Sequence, residues 1–299
     1  MNYRDSLKGI LPALMTAFTG DDAQIDEIRI RALVKKLLDA GVHGLYVGGS
    51  SGEMILCTPE ERMRLLEVVM DEVRNTGRKV NIIAHIGGTS TRESVLLAKH
   101  AEKAGATAIS SVTPFYFAYS FAEVKRFYED VASATVLPMI VYNIPARTGM
   151  TLNEKQLNEI LSIPGVAGMK HTSSDFFLLQ RLVSEHPEQV FYNGSDEALL
   201  SGLAAGANGG IGTTYNFQPR RMLAIYEYFL SGQIAEAQKE QDMANRLISE
   251  ICQYGVISAC KEMITLSGIP YGKPRKPFLP LSEKEHDHLA ALIKETPIY

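Results

Sequence analysis

Short β-rich apolar runs alternate with amphipathic stretches at a steady interval over the first ~230 residues. Gly9–Met15 reads as a first strand. Apolar positions Ile28, Ile30, Leu33, Val34, Leu37 and Leu38 then trace one helical face, closed by Gly41. The run continues in the same way. Gly44–Gly48 is a strand, and Thr58-Pro59-Glu60-Glu61 opens a helix with a cap residue, an N1 proline and first-turn acids. Val80–His85 is a strand followed by a helix over 90–104, and Ala108–Val112 a strand followed by a helix over 120–134. Pro138–Asn143 precedes a short helix from about Asn153, and the strand ending at Lys170 precedes a helix over 175–184. Gln189–Asn193 and Gly209–Gly212 complete the strands, with helices over 197–205 and 219–230.

Strands alternating with helices in this way imply right-handed crossovers and a parallel sheet. Eight units point to a closed (β/α)₈ TIM barrel of the α/β class. An open, doubly wound sheet would want a Gly-rich phosphate turn after the first strand, and Thr16-Ala17-Phe18-Thr19-Gly20 does not supply it. After Gly232 helical stretches at 233–250, 256–266 and 282–293 follow without strands. The chain therefore reads as a barrel over residues 1–231 and a C-terminal helical extension over 232–299.

Composition narrows the function classes. With 45% apolar and 21% charged residues the chain is globular, and a net charge of −4 with scattered basic residues gives no footprint for nucleic acid. No apolar run approaches the roughly 20 residues that span a bilayer. Met1–Lys8 lacks the apolar core of a signal peptide. Three cysteines without close spacing suggest neither a disulfide framework nor zinc, so a reduced cytoplasmic setting is expected.

The chemistry gathers at strand ends, where the loops of such a barrel form the active site. The apolar run Gly165-Val166-Ala167-Gly168-Met169 ends in Lys170, with polar residues directly after it. Taken alone, a strand-end lysine more often snorkels to water. Against apolar walls, however, a poorly solvated amine favours its neutral form, a nucleophile toward carbonyl carbon. The other ends carry Gly48-Gly49-Ser50-Ser51-Gly52-Glu53, Thr113-Pro114-Phe115-Tyr116, Tyr142-Asn143-Ile144-Pro145, Asn193-Gly194-Ser195-Asp196-Glu197 and Gly212-Thr213-Thr214-Tyr215. An imine-forming amine needs a neighbouring group that moves protons, and a phenol oriented by hydroxyls does this. No His/Asp/Glu set with metal spacing appears at these ends, so the reading includes no metal and no cofactor beyond a covalent adduct on the lysine. His43 reads as structural, Met139 and Met169 as core, and His85 is left open.

As a set, these motifs resemble the N-acetylneuraminate lyase and dihydrodipicolinate synthase superfamily, across essentially the whole chain including the extension. The resemblance implies that Lys170 forms a Schiff base with the ketone of pyruvate and that Tyr142 transfers protons. Ser50 and Tyr116 would complete the relay, Tyr116 reaching in from a neighbouring subunit of a homotetramer. The amides and hydroxyls of Ser50 and Ser51 would hold the pyruvate carboxylate. Gly-Ser-Ser at 49–51, Lys170-His171-Thr172, Gly194-Ser195-Asp196-Glu197 and Thr213 resemble the lyase branch. There Thr172, Gly194, Asp196, Glu197 and Thr213 would bind a small-molecule 2-keto sugar acid.

Arg147, in Ala146-Arg147-Thr148-Gly149, resembles the synthase branch, where an arginine receives the carboxylate of aspartate semialdehyde. The expected activity is retro-aldol cleavage of N-acetylneuraminate to N-acetylmannosamine and pyruvate. The synthase reaction and a related 2-keto-3-deoxy sugar acid aldolase stand as alternatives. A catalytically silent sugar-acid-binding regulator is a further one, disfavoured because it would need neither Lys170 nor Tyr142.

Overall fold

The computed structural model describes residues 2–20 and 24–298; Met1 and Tyr299, at the outer limits of the two expected regions, lie outside them. A short helix α1 (Tyr3–Leu7) precedes strand β1 (Gly9–Pro12), α2 (Glu27–Ala40), β2 (Gly44–Val47), α3 (Pro59–Thr76), β3 (Asn81–His85) and α4 (Thr91–Ala104). Then come β4 (Ala108–Val112), α5 (Phe121–Ala132), β5 (Met139–Asn143), α6 (Pro145–Thr148), α7 (Glu154–Leu161), β6 (Val166–His171) and α8 (Phe176–Glu185). The barrel ends with β7 (Val190–Asn193), α9 (Leu199–Ala204), β8 (Gly209–Gly212) and α10 (Pro219–Leu230). The extension is α11 (Ile234–Tyr254), α12 (Val256–Leu266) and α13 (Glu283–Glu295).

The helices begin where the sequence supplies partners for the free N–H groups of a first turn. Thr58, Ser120, Asn153 and Ser282 each close a capping box with Glu61, Glu123, Gln156 and Glu285. Gly41 ends α2 in the left-handed conformation expected of it.

All eight strands are parallel, paired in the order β1-β8-β7-β6-β5-β4-β3-β2. The ring closes through β1 and β2. The expected first strand is cut short at Pro12 because the chain there turns from β8 to β2: Ala13 N–H still donates to the Gly212 carbonyl at 2.8 Å while Ala13 bridges Tyr46, and Leu14 N–H donates to the Tyr46 carbonyl at 2.8 Å. Three further differences lie in the loops. Pro145–Thr148 forms an extra helical turn, and the lysine strand runs on through His171. The stretch after β7 splits into a 3₁₀ turn at Asp196–Ala198 and α9, since Ala198 leaves helical backbone angles.

Alternation along the strands sorts side chains into two apolar cores. One fills the barrel and includes Leu11, Tyr46, Ile83, Val112, Ile140, Tyr142, Tyr192 and Ile211, with Leu7 of α1 sealing its lower end. The other lies between strands and helices, holds Met139, Val141 and Met169, and continues into the extension through Ala237, Leu247, Met263 and Leu289. In β6 that alternation is interrupted. Val166 pairs with Met139, but Gly168 pairs with Ile140, leaving Ala167 as one extra residue. This bulge reverses the parity of the remaining strand residues, so Met169 joins the outer core and Lys170 pairs with Tyr142 on the inside. Gly168 (φ +153) permits it, since a Cβ there would collide with the Val190 backbone.

Candidate active site at the barrel mouth

Tyr142, Lys170 and Tyr192 stand at one level on β5, β6 and β7. Lys170 is only 4% exposed. Its Nζ lies 4.1 Å from the centre of the Tyr142 ring and 5.0 Å from that of Tyr46. Among the described residues it makes no ion pair, so aromatic faces are the main company of this amine. The two rings meet edge to face at 6.2 Å, and the Tyr46 hydroxyl is anchored by Ser110 Oγ at 3.0 Å. His85 completes the wall, perpendicular to Tyr142 at 6.1 Å. Burial, with the nearby charges of Arg62 and Lys170, holds its imidazole well below the usual histidine range, so it is neutral. His85 Nε2 accepts from the Val112 N–H at 3.3 Å, and Arg62 donates to its carbonyl at 2.9 Å. His85, left open by the sequence, is a fixed neutral wall. His43 is structural as expected, its Nδ1 accepting from the Ile10 N–H at 3.1 Å.

The two serines after β2 are not equivalent. Ser51 is buried and shares a 2.6 Å hydrogen bond with Thr213 after β8, joining the turns on either side of β1, while Ser50 is exposed. Gly194 lies flat against the lysine. A Cβ there would run into Thr172 Oγ1 and stand 3.0 Å from Lys170 Cε, so only glycine leaves this wall open. Thr172 Oγ1 is itself buried without a hydrogen-bond partner.

The acidic pair divides the same way. Asp196 is buried, with Oδ2 accepting from both the N–H and the hydroxyl of Thr214 at 2.7 Å. Burial raises its carboxyl to about 6, against the pull of Thr214 and Lys170. Glu197 is exposed. Both residues are braced by α11, where Gln241 donates to the Asp196 carbonyl at 3.1 Å and Asn245 to the Glu197 carbonyl at 3.0 Å.

Two expected residues stand away from this cluster within the single chain. Tyr116 is 87% exposed, its ring edge-on to Phe117 at 5.1 Å, with φ at +82°. Arg147 is exposed on α6, just past the end of β5. Sequence reasoning assigned no role to Tyr46 or His85, although both lie at the inner ends of recognised strands; alternation from Tyr142 would have placed them. Among the described residues no three His, Cys, Asp or Glu side chains converge as a metal site, and no helix is long and apolar enough to cross a membrane. All three cysteines are free.

Known proteins are similar to this chain in sequence and fold over nearly their whole length. The N-acetylneuraminate lyase of Rhizobium meliloti (strain 1021) is 43% identical over 287 residues, covering 96% of this chain and 93% of that protein. The crystal structure of N-acetylneuraminate lyase from Fusobacterium nucleatum complexed with pyruvate superposes with a TM-score of 0.92 at 36% identity and covers 99% of each chain. That of CdNal from Clostridium difficile in complex with mannosamine gives 0.93 at 31% identity, covering 97% of this chain and 99% of that one. The dihydrodipicolinate synthetase family matches residues 6–296. With the match spanning nearly the whole chain, the resemblance carried by the strand-end motifs holds, and the chain belongs to the dihydrodipicolinate synthetase family.

Proposed function

We propose that this chain is a class I aldolase that cleaves N-acetylneuraminate to N-acetylmannosamine and pyruvate. The observation that carries the reading is a buried lysine, without an ion pair among the described residues, set over the ring of Tyr142 inside the barrel mouth. An amine so placed is held out of water and unclaimed by a carboxylate, which suits attack on a ketone. The relatives support the substrate: the 43% identical protein is an N-acetylneuraminate lyase, and the Fusobacterium structure of that enzyme contains pyruvate.

In the proposed reaction the Lys170 nitrogen attacks C2 of the open-chain sugar acid, and loss of water leaves an iminium. Tyr142, relayed through Ser50, takes the proton of the C4 hydroxyl. The C3–C4 electron pair flows to the iminium nitrogen, the aldehyde sugar departs, and the resulting enamine is protonated at C3. Water then releases pyruvate and the amine, and no metal or separate cofactor takes part. Ser51 and the backbone amides of its turn would hold the substrate carboxylate. Thr172, Gly194, Asp196, Glu197 and Thr213 would line the polyol, the acids accepting from its hydroxyls. The catalytic unit is the barrel of residues 1–231, carrying the helical extension of 232–299, working in a reduced cytoplasm as a homotetramer. The positive φ and exposure of Tyr116 support this reading, in which its ring would enter a neighbouring subunit's site.

Arg147 favours a second reading. Exposed beside the end of β5, its guanidinium suits the carboxylate of a second substrate, as in condensation of pyruvate with aspartate semialdehyde. Borohydride with pyruvate should leave a reduced adduct on Lys170, seen by peptide mass spectrometry, and an unmodified lysine removes the class I mechanism. Pyruvate release from N-acetylneuraminate then decides the substrate. Activity only with pyruvate and aspartate semialdehyde would replace the lyase by the synthase.

A further inference from the structure

The proposed reaction leaves unused a buried charge cluster formed by Glu53, Lys261 and Arg275. Glu53 follows the Ser50-Ser51-Gly52 turn, is 3% exposed, and adopts φ +59°. Among the described residues only Glu53 and Tyr116 combine a side chain with positive φ, and both lie in loops at the mouth end of strands. Strain of this kind persists only where surrounding contacts impose it. Those contacts come from the extension. Lys261 of α12, fully buried, pairs with Glu53 Oε1 at 2.6 Å and donates to the Lys273 carbonyl at 3.1 Å. Arg275, between α12 and α13, donates its backbone N–H to Glu53 Oε2 at 2.8 Å. Its guanidinium donates to the Leu56 carbonyl at 2.9 Å and grips both oxygens of Glu61 at 2.7 Å. Both cations rest on the ring of Phe18, at 4.5 and 4.1 Å. From the barrel side, Thr16 Oγ1 donates to the Gly52 carbonyl at 2.8 Å.

The segment 52–61 is therefore held at four points, three of them through residues 261 and 275. A buried ion pair is a poor stabiliser compared with apolar residues of the same size, because desolvation of two charges offsets their attraction. It does fix geometry, since Glu53 Oε2 accepts from the Arg275 backbone N–H while Oε1 is held against the Lys261 ammonium as an ion pair. We infer that Glu53, Lys261 and Arg275 act as positioning residues. They hold the Ser50-Ser51 turn, with its amides and hydroxyls, at the distance from Lys170 that a 2-keto acid carboxylate requires. The inference rests on the proposed reading of Lys170 and Ser50-Ser51, and it extends the working site into the helical extension.

The test uses the full chain with the pair neutralised as E53Q/K261M, which strands no charge and keeps side-chain volume. Positioning predicts that half-saturation by pyruvate in borohydride trapping, and KM for N-acetylneuraminate, each rise ~10-fold, while kcat at saturation falls less than ~3-fold. Amide hydrogen exchange of residues 48–57 should quicken in the same variant, a readout independent of chemistry at Lys170. Arg275→Lys, which keeps the charge but loses the fork, should show a smaller rise of ~3-fold. Leu289→Ala, a core truncation in α13 at a residue that is not part of the cluster, should lower the melting temperature and leave half-saturation unchanged.

Unchanged half-saturation and unchanged exchange in folded E53Q/K261M overturn the inference. So does an equal rise in Leu289→Ala, which would make the effect one of general stability. Should E53Q/K261M not fold, unchanged half-saturation and exchange in Arg275→Lys overturn it in the same way. Absence of any adduct in the unmodified protein would instead overturn the Schiff-base reading, and hydrogen exchange then still decides whether the cluster holds the turn.

Discussion

Two buried lysines of this chain have opposite surroundings and opposite roles. Lys261 is fully enclosed and has a carboxylate at 2.6 Å and a carbonyl at 3.1 Å. Lys170 is nearly as enclosed but has two tyrosine rings and no ion pair among the described residues. Burial alone therefore does not make a lysine reactive. Burial lowers the ammonium pKa of Lys261 and raises that of Glu53, while their mutual attraction opposes both shifts and ties the two groups to each other. A lysine whose Nζ meets only π faces keeps its nitrogen free to form a bond.

The comparison breaks most sharply at Lys170. Lys170→Met should lower the rate of pyruvate formation by at least ~10³-fold and abolish borohydride trapping, with melting temperature little changed. A variant that keeps its activity would make Lys170 structural, like its counterpart. Tyr142→Phe, which keeps the ring under the amine but removes the hydroxyl, should cost ~10²- to 10⁴-fold in kcat while trapping by pyruvate persists. Equal loss of trapping would assign Tyr142 to the amine's environment and not to proton transfer. Lys261→Met alone should act on stability, by about 3–5 kcal/mol, because Glu53 is left buried without its cation. Chemical denaturation measures this, and E53Q/K261M should recover most of the loss.

The smallest effect concerns Asp196, the buried carboxyl whose titration senses Lys170. Burial raises it from 3.8 to about 6, so the folded chain retains a proton that the unfolded chain releases. The corresponding stability is complete below 3.8 and is lost as pH rises through about 6. Asp196→Asn should flatten the melting temperature across that window; a slope identical to that of the unmodified chain would show that the group does not titrate there. In the proposed site the ionised form accepts from substrate hydroxyls, so KM should rise as pH falls below about 6, and Asp196→Asn should remove that dependence as well.

Element order, the count of strands and the grouping of motifs at strand ends were legible because they depend on local properties. Capping residues, closing glycines and apolar periodicity act within a few positions, as at Thr58-Pro59 and Gly41. What fell outside this reach involved contacts between distant positions. The Ser50-Ser51 pair looks symmetric in sequence, but Thr213, more than 160 residues away, takes only Ser51. Asp196 and Glu197 look like one acidic pair, until Thr214 and the packing of α11 bury the first and leave the second in solvent. Glu53 was visible within its motif, but nothing local links it to residues 261 and 275.

The sequence by itself determined a strand that ends in an amine, inside an eight-unit barrel whose strand ends carry phenols, hydroxyls and carboxylates. Only the tertiary structure decided that the amine points inward. From Val166, whose side chain faces the helices, strict alternation would carry Lys170 to the same outer side. The extra residue at Ala167 resets the parity and sets Lys170 beside Tyr142. Such a bulge is fixed by pairing with β5 and by the close approach of Val190 to Gly168, relations that exist only once the sheet has formed. The same holds for the difference between the two lysines, since Glu53, the partner paired with Lys261, is brought to it by the fold and not by neighbours in the chain.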